Sequence, residues 1–169
     1  MLEETIEGLA LNAGDTVVDC TTNRGGHSME IIKHIGPAGT LVCIDLDEKA
    51  LEEAEQKFAK LKNAPKIIYI NKNFREIKSI LSDLGLHKVD AVVADLGLSS
   101  QELDISGRGF SFQKDEPLLM TFSNKVIDDS LTAKDIVNTW QEETLADIIY
   151  YFADERYARR IAKAIVEKR

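Results

Sequence analysis

The sequence predicts an α/β fold: a short parallel sheet of nucleoside-binding form, incomplete in this chain, followed by a helical second domain or insertion. Three observations carry that expectation. Short Val/Ile/Leu-rich runs alternate with helix-period segments as far as Leu98, the pattern of parallel strands joined by crossover helices. Two of those runs end in acids, Asp19 and Asp45, and a small polar turn containing glycines follows the first. Beyond Leu98 the alternation stops, and a long irregular segment gives way to amphipathic helices.

The predicted strands are 16–19, 41–45, 66–70 and 89–95, whose near-continuous apolar content suits strands covered on both faces. A helix starts at Gly25-Gly26-His27-Ser28. Leu51, Ala54, Phe58 and Leu61 recur at helical spacing behind Asp47, which is placed to cap them. Ile77, Ile80, Leu81 and Leu84 form the next helix, closed by Gly85. Residues 99–129 read as a loop with aromatic anchors. Thr132 with Asp135 then predicts a capping box, and Leu145, Ile148, Ile149 and Phe152 predict one apolar helix face. A last helix carries Tyr157, Ile161 and Ile165 on a stripe. The chain therefore divides into an α/β half, 1–102, and a helical segment, 103–169. A short parallel sheet leaves its last strand as an unprotected edge, which predicts poor solubility or a homodimer formed through that edge. Helical patterning still runs at Lys168-Arg169, so the chain reads as part of a longer protein.

Composition narrows the class. At 44% hydrophobic residues the chain can bury one sizeable core, and its formal net charge of -8 argues against a wholly basic, nucleic-acid-coating surface. The charge is uneven, however. Between Glu155 and Arg169 stand Arg156, Arg159, Arg160, Lys163, Lys168 and Arg169, opposed only by Glu155 and Glu167. That local basic helix suits RNA contact or an ordinary solvated face. There is no apolar run of bilayer length, and the acidic Met1-Leu2-Glu3-Glu4 is unlike a signal peptide. Cys20 and Cys43 read as small buried hydrophobes with no zinc spacing. The expectation is a cytoplasmic protein with no membrane partner and no metal.

The stretch Thr16-Val17-Val18-Asp19-Cys20-Thr21-Thr22-Asn23-Arg24-Gly25-Gly26-His27-Ser28, followed by Leu41-Val42-Cys43-Ile44-Asp45, has the form of a nucleoside site. Asp45 lies roughly twenty residues past the glycines, the spacing of an acid that accepts ribose hydroxyls. The glycines are adjacent, unlike the Gly-x-Gly-x-x-Gly spacing that holds a pyrophosphate. Asp19, ahead of the turn, would repel phosphate and suits a cationic ligand. S-adenosylmethionine, with its ammonium, its sulfonium and no phosphate, matches. A plain strand–turn–helix corner would use the same glycines.

Asp95 ends the fourth predicted strand. Ligands of open α/β sheets bind beyond the carboxyl ends of the strands, so Asp19, Asp45 and Asp95 are expected along one rim. Phe74 has two readings, a platform for an adenine or a core residue under the loop. His27 stands where its ring could close over a ligand or merely cap the helix. His34 and His87 have no partner pattern.

At these blocks the sequence resembles the bacterial ribosomal RNA small-subunit methyltransferase H family. The matching residues are Gly25-Gly26-His27-Ser28, Ile44-Asp45-Leu46-Asp47, Asn73-Phe74 and Asp95-Leu96-Gly97-Leu98-Ser99-Ser100. Further on come Arg108-Gly109-Phe110-Ser111-Phe112 and Glu155-Arg156-Tyr157-Ala158-Arg159-Arg160-Ile161-Ala162. They run in family order over nearly the whole chain, which corresponds to the family's N-terminal half. The resemblance implies a Rossmann-like S-adenosylmethionine-dependent methyltransferase sheet with a helical inserted substrate domain. It implies cofactor contacts at Gly25, Gly26, His27, Asp45, Phe74 and Asp95, and at Glu102 where the family has glutamine. The family's Asp-Gly-Pro-Leu-Asp-Met-Arg-Met block reads Asp115-Glu116-Pro117-Leu118-Leu119-Met120-Thr121-Phe122, an acid and an arginine short.

The implied reaction is methylation of cytidine N4 in small-subunit ribosomal RNA, with Asp95 as the catalytic residue, the ribosomal subunit as partner and no DNA substrate. Two other readings stand beside it. One is an inactive fragment or adaptor that binds cofactor or a partner without catalysis. The other is an amino-methyltransferase acting on another nucleic acid, although a proline pair is expected after its strand-end acid and Leu96-Gly97 stand here. A nicotinamide reductase would need the missing glycine triplet.

Overall fold

The computed structural model describes residues 2–98, 103, 105–123 and 131–169. They fall into two compact units, divided between Gly97 and Leu98. The first contains α1 (Leu2–Leu9), β1 (Thr16–Asp19), α2 (Gly26–Ile35), β2 (Thr40–Asp45), α3 (Glu48–Phe58), β3 (Lys66–Asn71), α4 (Ile77–Asp83) and β4 (Ala91–Val93). A single 3-10 turn, Phe74–Glu76, precedes α4.

All four strands pair in parallel, in the order β3-β2-β1-β4. The chain steps outward from β1 through β3 and then returns to lay β4 on the other side of β1. That return creates a switch point between β1 and β4. Side chains alternate between the faces of a strand. Val17, Leu41 and Cys43 accordingly pack with Ile31, Ile35 and Phe58 of α2 and α3. Val18, Val42 and Ile44 pack with Ile80 of α4. Both faces are covered, which is why these strands read as unbroken apolar runs. Fully burying an aliphatic side chain such as Leu41 or Ile44 contributes about 1.5–3 kcal/mol.

Several boundaries differ from expectation. Helix α1 was not foreseen; it buries Ile6 and carries Glu3 and Glu4 in its first turn, where the helix dipole favours acids. The fourth strand pairs only over Ala91–Val93, shorter than 89–95. A side chain takes the place of a strand at each end: Asp90 Oδ2 accepts the Thr16 N–H at 2.7 Å, and Thr21 Oγ1 accepts the Asp95 N–H at 2.7 Å. Helix α3 stops at Phe58, so Leu61 packs from the turn that follows. Asp47 caps α3 as expected, accepting from Lys49 and Ala50.

The second unit holds α5 (Ala133–Thr139), α6 (Glu142–Ala153) and α7 (Ala158–Lys168). The capping box forms: Thr132 Oγ1 accepts the Asp135 N–H at 3.2 Å and Asp135 Oδ2 accepts the Thr132 N–H at 3.0 Å. The irregular segment before it is tied inward. Gly109, at φ 80°, passes so near Pro117 that a Cβ would stand 2.5 Å from its carbonyl oxygen. Glu116, a departure from the family block, accepts the Gly109 N–H at 3.0 Å.

Both predicted apolar stripes of this unit need correction. Phe152 is 88% exposed, and Tyr157 and Ile161 are also on the surface. The core is built from Leu145, Ala146 and Ala162, with Trp140, Ile148, Ile165 and Val166 packed against it. On α7 the buried positions are Ala158 and Ala162, one residue round the helix from the predicted stripe. Small side chains at the contact let helix axes approach closely, so the alanines face inward and the larger residues turn out.

Candidate functional site

The polar turn after β1 is fixed from both sides. Toward β4, the Cys20 N–H donates to Val93 O at 2.8 Å. Toward β2, the Thr22 N–H donates to Ile44 O at 3.1 Å, and the Asn23 N–H donates to Asp45 Oδ2 at 2.7 Å. Asn23 takes φ 48°, a left-handed conformation that asparagine tolerates better than most residues. The turn thus spans the strand ends where an open α/β sheet presents its ligand crevice.

Gly25 sits at φ 71°, and a Cβ there would stand 2.2 Å from Phe58 Cζ. Its need for glycine arises inside the protein, from the ring that α3 sends under the turn. Gly26 differs: a Cβ there would meet nothing within 4 Å.

The expectation that three acids share the rim is corrected at Asp19. Its side chain is buried, with Oδ2 accepting from Ser28 Oγ at 2.7 Å and Oδ1 from the Thr21 N–H at 3.1 Å. Burial raises its carboxyl above the usual 3.8, against the opposing pull of those hydrogen bonds. Asp19 anchors the turn and the start of α2 from below. Cys43 lies beside it, 3.8 Å from Ser28 Oγ, and burial pushes its thiol up to about 12. Burial also raises the Cys20 thiol. Neither sulfur is suited to act as a nucleophile.

Asp45 and Asp95 do reach the rim. Asp45 is half-buried at the end of β2; besides Asn23, its carboxylate accepts the Asp47 N–H at 2.9 Å. Asn71 closes the β3 side, donating from Nδ2 to the carbonyls of Asp45 and Leu46, each at 3.0 Å. Across the switch point, Asp95 Oδ2 lies 3.8 Å from His27 Nδ1, with the acid side chain 67% exposed and the imidazole 21% exposed. Phe74 opens the turn before α4 and is 39% exposed, which removes the core reading. The nearby cation Arg24 is engaged by Glu53 at 2.7 Å.

The structure therefore gathers Gly25, Gly26, His27, Asp45 and Asp95 around the first turn, with Phe74 after β3. Glu102 lies outside the described residues, as do Ser99 and Ser100. Sequence reasoning missed Thr21, Asn23, Ser28 and Asn71, which position the site. Only Thr21 and Asn23 carried a signal, as small polar residues inside the turn. Among the described residues, no group of three His, Cys, Asp or Glu side chains is placed to hold a metal. Among them, too, no helix is long and apolar enough to cross a membrane.

The model of the MraW methylase family matches residues 1–169. A ribosomal RNA small subunit methyltransferase H from Clostridium botulinum (strain Kyoto / Type A2) is 42% identical over 100% of this chain and 53% of its own length. The protein of the same name from Finegoldia magna is 43% identical over 100% of this chain and 52% of its own. The chain thus spans about half the length of the curated relatives it matches. A SAM-dependent O-methyltransferase from Thermotoga maritima overlaps at a TM-score of 0.41, with 16% identity over 44% of this chain and 28% of that one. That overlap is too slight to bear on function.

Proposed function

The chain belongs to the MraW methylase family, and on that premise we propose that its first unit binds S-adenosylmethionine and that the protein methylates cytidine N4 in small-subunit ribosomal RNA. The observation that carries the reading is the switch point, where Asp45 and the His27–Asp95 pair flank a turn that other strands hold rigid.

The donor set fits this cofactor. Asp45 is oriented by two backbone N–H groups, as an acceptor for vicinal ribose hydroxyls should be. Asp95 offers negative charge to an ammonium or sulfonium, and Arg24, already paired with Glu53, offers little to a phosphate. Phe74 presents an accessible ring for an adenine, and Gly26 leaves open space before α2. Gly25, Gly26, His27, Asp45, Phe74 and Asp95 would hold the cofactor; Glu102 joins them on resemblance alone. When bound, S-adenosylmethionine supplies an electrophilic methyl group on its sulfonium.

The protein's task is to prepare the amine. Cytosine N4 is a weak nucleophile because its lone pair is delocalised into the ring. Asp95, or the carbonyls of Leu96 and Gly97, can accept a hydrogen bond from that amine, localising the lone pair and holding it in attack geometry. A carboxylate there also receives the proton that the amine sheds. The base must leave its stack to reach a site at strand ends, so a single-stranded or splayed region is the natural substrate.

Calorimetric titration with S-adenosylmethionine tests the first half. Asp45→Asn should weaken binding by about 1.5–3 kcal/mol, the range for hydrogen bonds to a charged group. Asp47→Ala should leave affinity unchanged and cost about 1 kcal/mol of stability through its lost cap. Equal affinity of wild type and Asp45→Asn would end the ribose assignment. Nucleoside analysis of methylated ribosomal RNA tests the second half. A methyl group on a cytosine ring carbon, on adenine or on DNA would overturn the substrate.

A further inference from the structure

A second candidate surface lies wholly within the helical unit. Between α6 and α7 is a cleft of about 360 Å³ lined by Tyr150, Tyr151, Arg156, Tyr157, Arg159 and Arg160. Its aromatic residues are open to solvent: Tyr150 is 53%, Tyr151 72% and Tyr157 46% exposed. Phe152, next to Tyr151 in the last turn of α6 and outside the cleft lining, is 88% exposed. The Tyr150 and Tyr151 rings meet edge to face at 5.3 Å. The guanidinium groups of Arg156 and Arg160 lie over the Tyr157 ring, 4.7 and 5.6 Å from its centre.

Among the described residues, no carboxylate pairs with Arg156, Arg159 or Arg160. Two cations further along are engaged: Lys163 approaches Glu167 at 3.8 Å, and Arg169, just past α7, donates to the carbonyls of Val137 and Trp140. Asp147 is the one acid lining the cleft, facing three arginines. On a chain of net charge -8, this is a concentrated positive patch interleaved with exposed rings. Every base has a face that stacks on an aromatic ring, and arginine pairs with phosphate through two parallel donors. An arginine already stacked on tyrosine loses little freedom when it does so.

We propose that this cleft binds a segment of single-stranded RNA, with phosphates held by Arg156, Arg159 and Arg160, one base stacked on Tyr151 and the strand running on to the exposed Phe152 ring beside it. The choice of RNA over DNA rests on the methylase reading; the stacking and phosphate chemistry does not.

Fluorescence anisotropy with a labelled RNA of about 10 nucleotides, within the usual site sizes, tests it on the whole chain. Tyr151→Ala with Phe152→Ala should weaken binding about thirtyfold or more, the low end for two lost stacks. Arg156→Gln with Arg160→Gln should flatten the slope of log affinity against log salt by about 1.4, or about 0.7 per phosphate contact. Arg156→Lys with Arg160→Lys should keep most of that slope. Tyr151 and Phe152 lie outside the helical core, so their truncation leaves the α6–α7 packing in place. Unchanged RNA affinity in the ring and glutamine variants would overturn the inference. So would tighter binding of the matched DNA, or competition by polyglutamate as effective as by RNA. S-adenosylmethionine titrations on the same proteins separate the two readings. Lost RNA binding with intact cofactor binding supports this surface. RNA binding without any cofactor binding would sink the cofactor assignment and leave the surface standing.

Discussion

In the first unit Asp19 is 1% exposed and is met by a hydroxyl and a backbone amide; in the second, Phe152 is 88% exposed. One region hides a charged group and the other displays a large apolar one. The contrast follows from what surrounds each. A parallel sheet has helices on both faces, so a polar side chain that turns inward beneath them, as that of Asp19 does, must be satisfied internally. The three helices α5–α7 close on a core of Leu145 and two alanines with Trp140 packed against it, while Tyr150, Tyr151, Phe152 and Tyr157 are turned outward. The first arrangement suits a small ligand read by fixed hydrogen bonds. The second suits a surface read by stacking and charge.

The largest expected effect tests the enclosed region. In Gly25→Ala the left-handed backbone costs about 1–2 kcal/mol, and displacing the Phe58 ring adds overpacking of about 1–3 kcal/mol. Denaturant unfolding should show a combined loss of about 2–5 kcal/mol. Gly26→Ala, with open space around its Cβ, should stay within about 0.5 kcal/mol of wild type. Similar losses at both positions would mean that Phe58 does not dictate the glycine.

How far these regions were legible in sequence follows the same division. The strands of the first unit were readable because burial on both faces leaves an unbroken apolar run. Asp45 and Asp95 were readable because strand ends are where such runs stop. The bonds that organise the turn were not, since they join distant residues: Thr21 meets Asp95 across 74 positions, and Asn71 meets Asp45 across 26. Asp19 was placed on the rim for the same reason, because nothing local reveals that Ser28 will fold back over it. In the second unit, 157/161/165 and 158/162/165 share helical spacing. Residue size favoured the first stripe, whereas close helix approach requires the alanines of the second.

The next effect in size probes Asp19 directly. Ser28→Ala removes the 2.7 Å bond to a buried carboxylate and should cost about 1–3 kcal/mol at neutral pH. Its pH dependence has a definite sign. Burial raises the folded carboxyl above 3.8, so its protonated form is the one that folding favours. That contribution is complete below 3.8 and is lost as pH rises through the raised folded value. Asp19→Asn cannot lose it, so the stability of the variant relative to wild type should rise with pH across that window and then level off. Ser28→Ala, lacking the bond that lowers the carboxyl, should make the loss with pH deeper. Unfolding midpoints measured across acidic to neutral pH check both; a difference between wild type and Asp19→Asn that does not change with pH would show that Asp19 is not buried as described.

The smallest effect bears on the displayed region. Phe152 lies in the last turn of α6, outside its packed face, so Phe152→Ser removes almost no buried area. Its thermal midpoint should correspond to a change within about 0.5 kcal/mol, as for a surface substitution. The smallness is the point. A buried Phe reduced to a small side chain costs about 3–5 kcal/mol, so the two situations are easily told apart. A loss near the larger figure would mean that the ring is covered in solution, and the surface assigned to RNA would lose one of its stacking faces. A change near zero leaves the ring available, and affinity for RNA can then fall on substitution without any accompanying loss of fold.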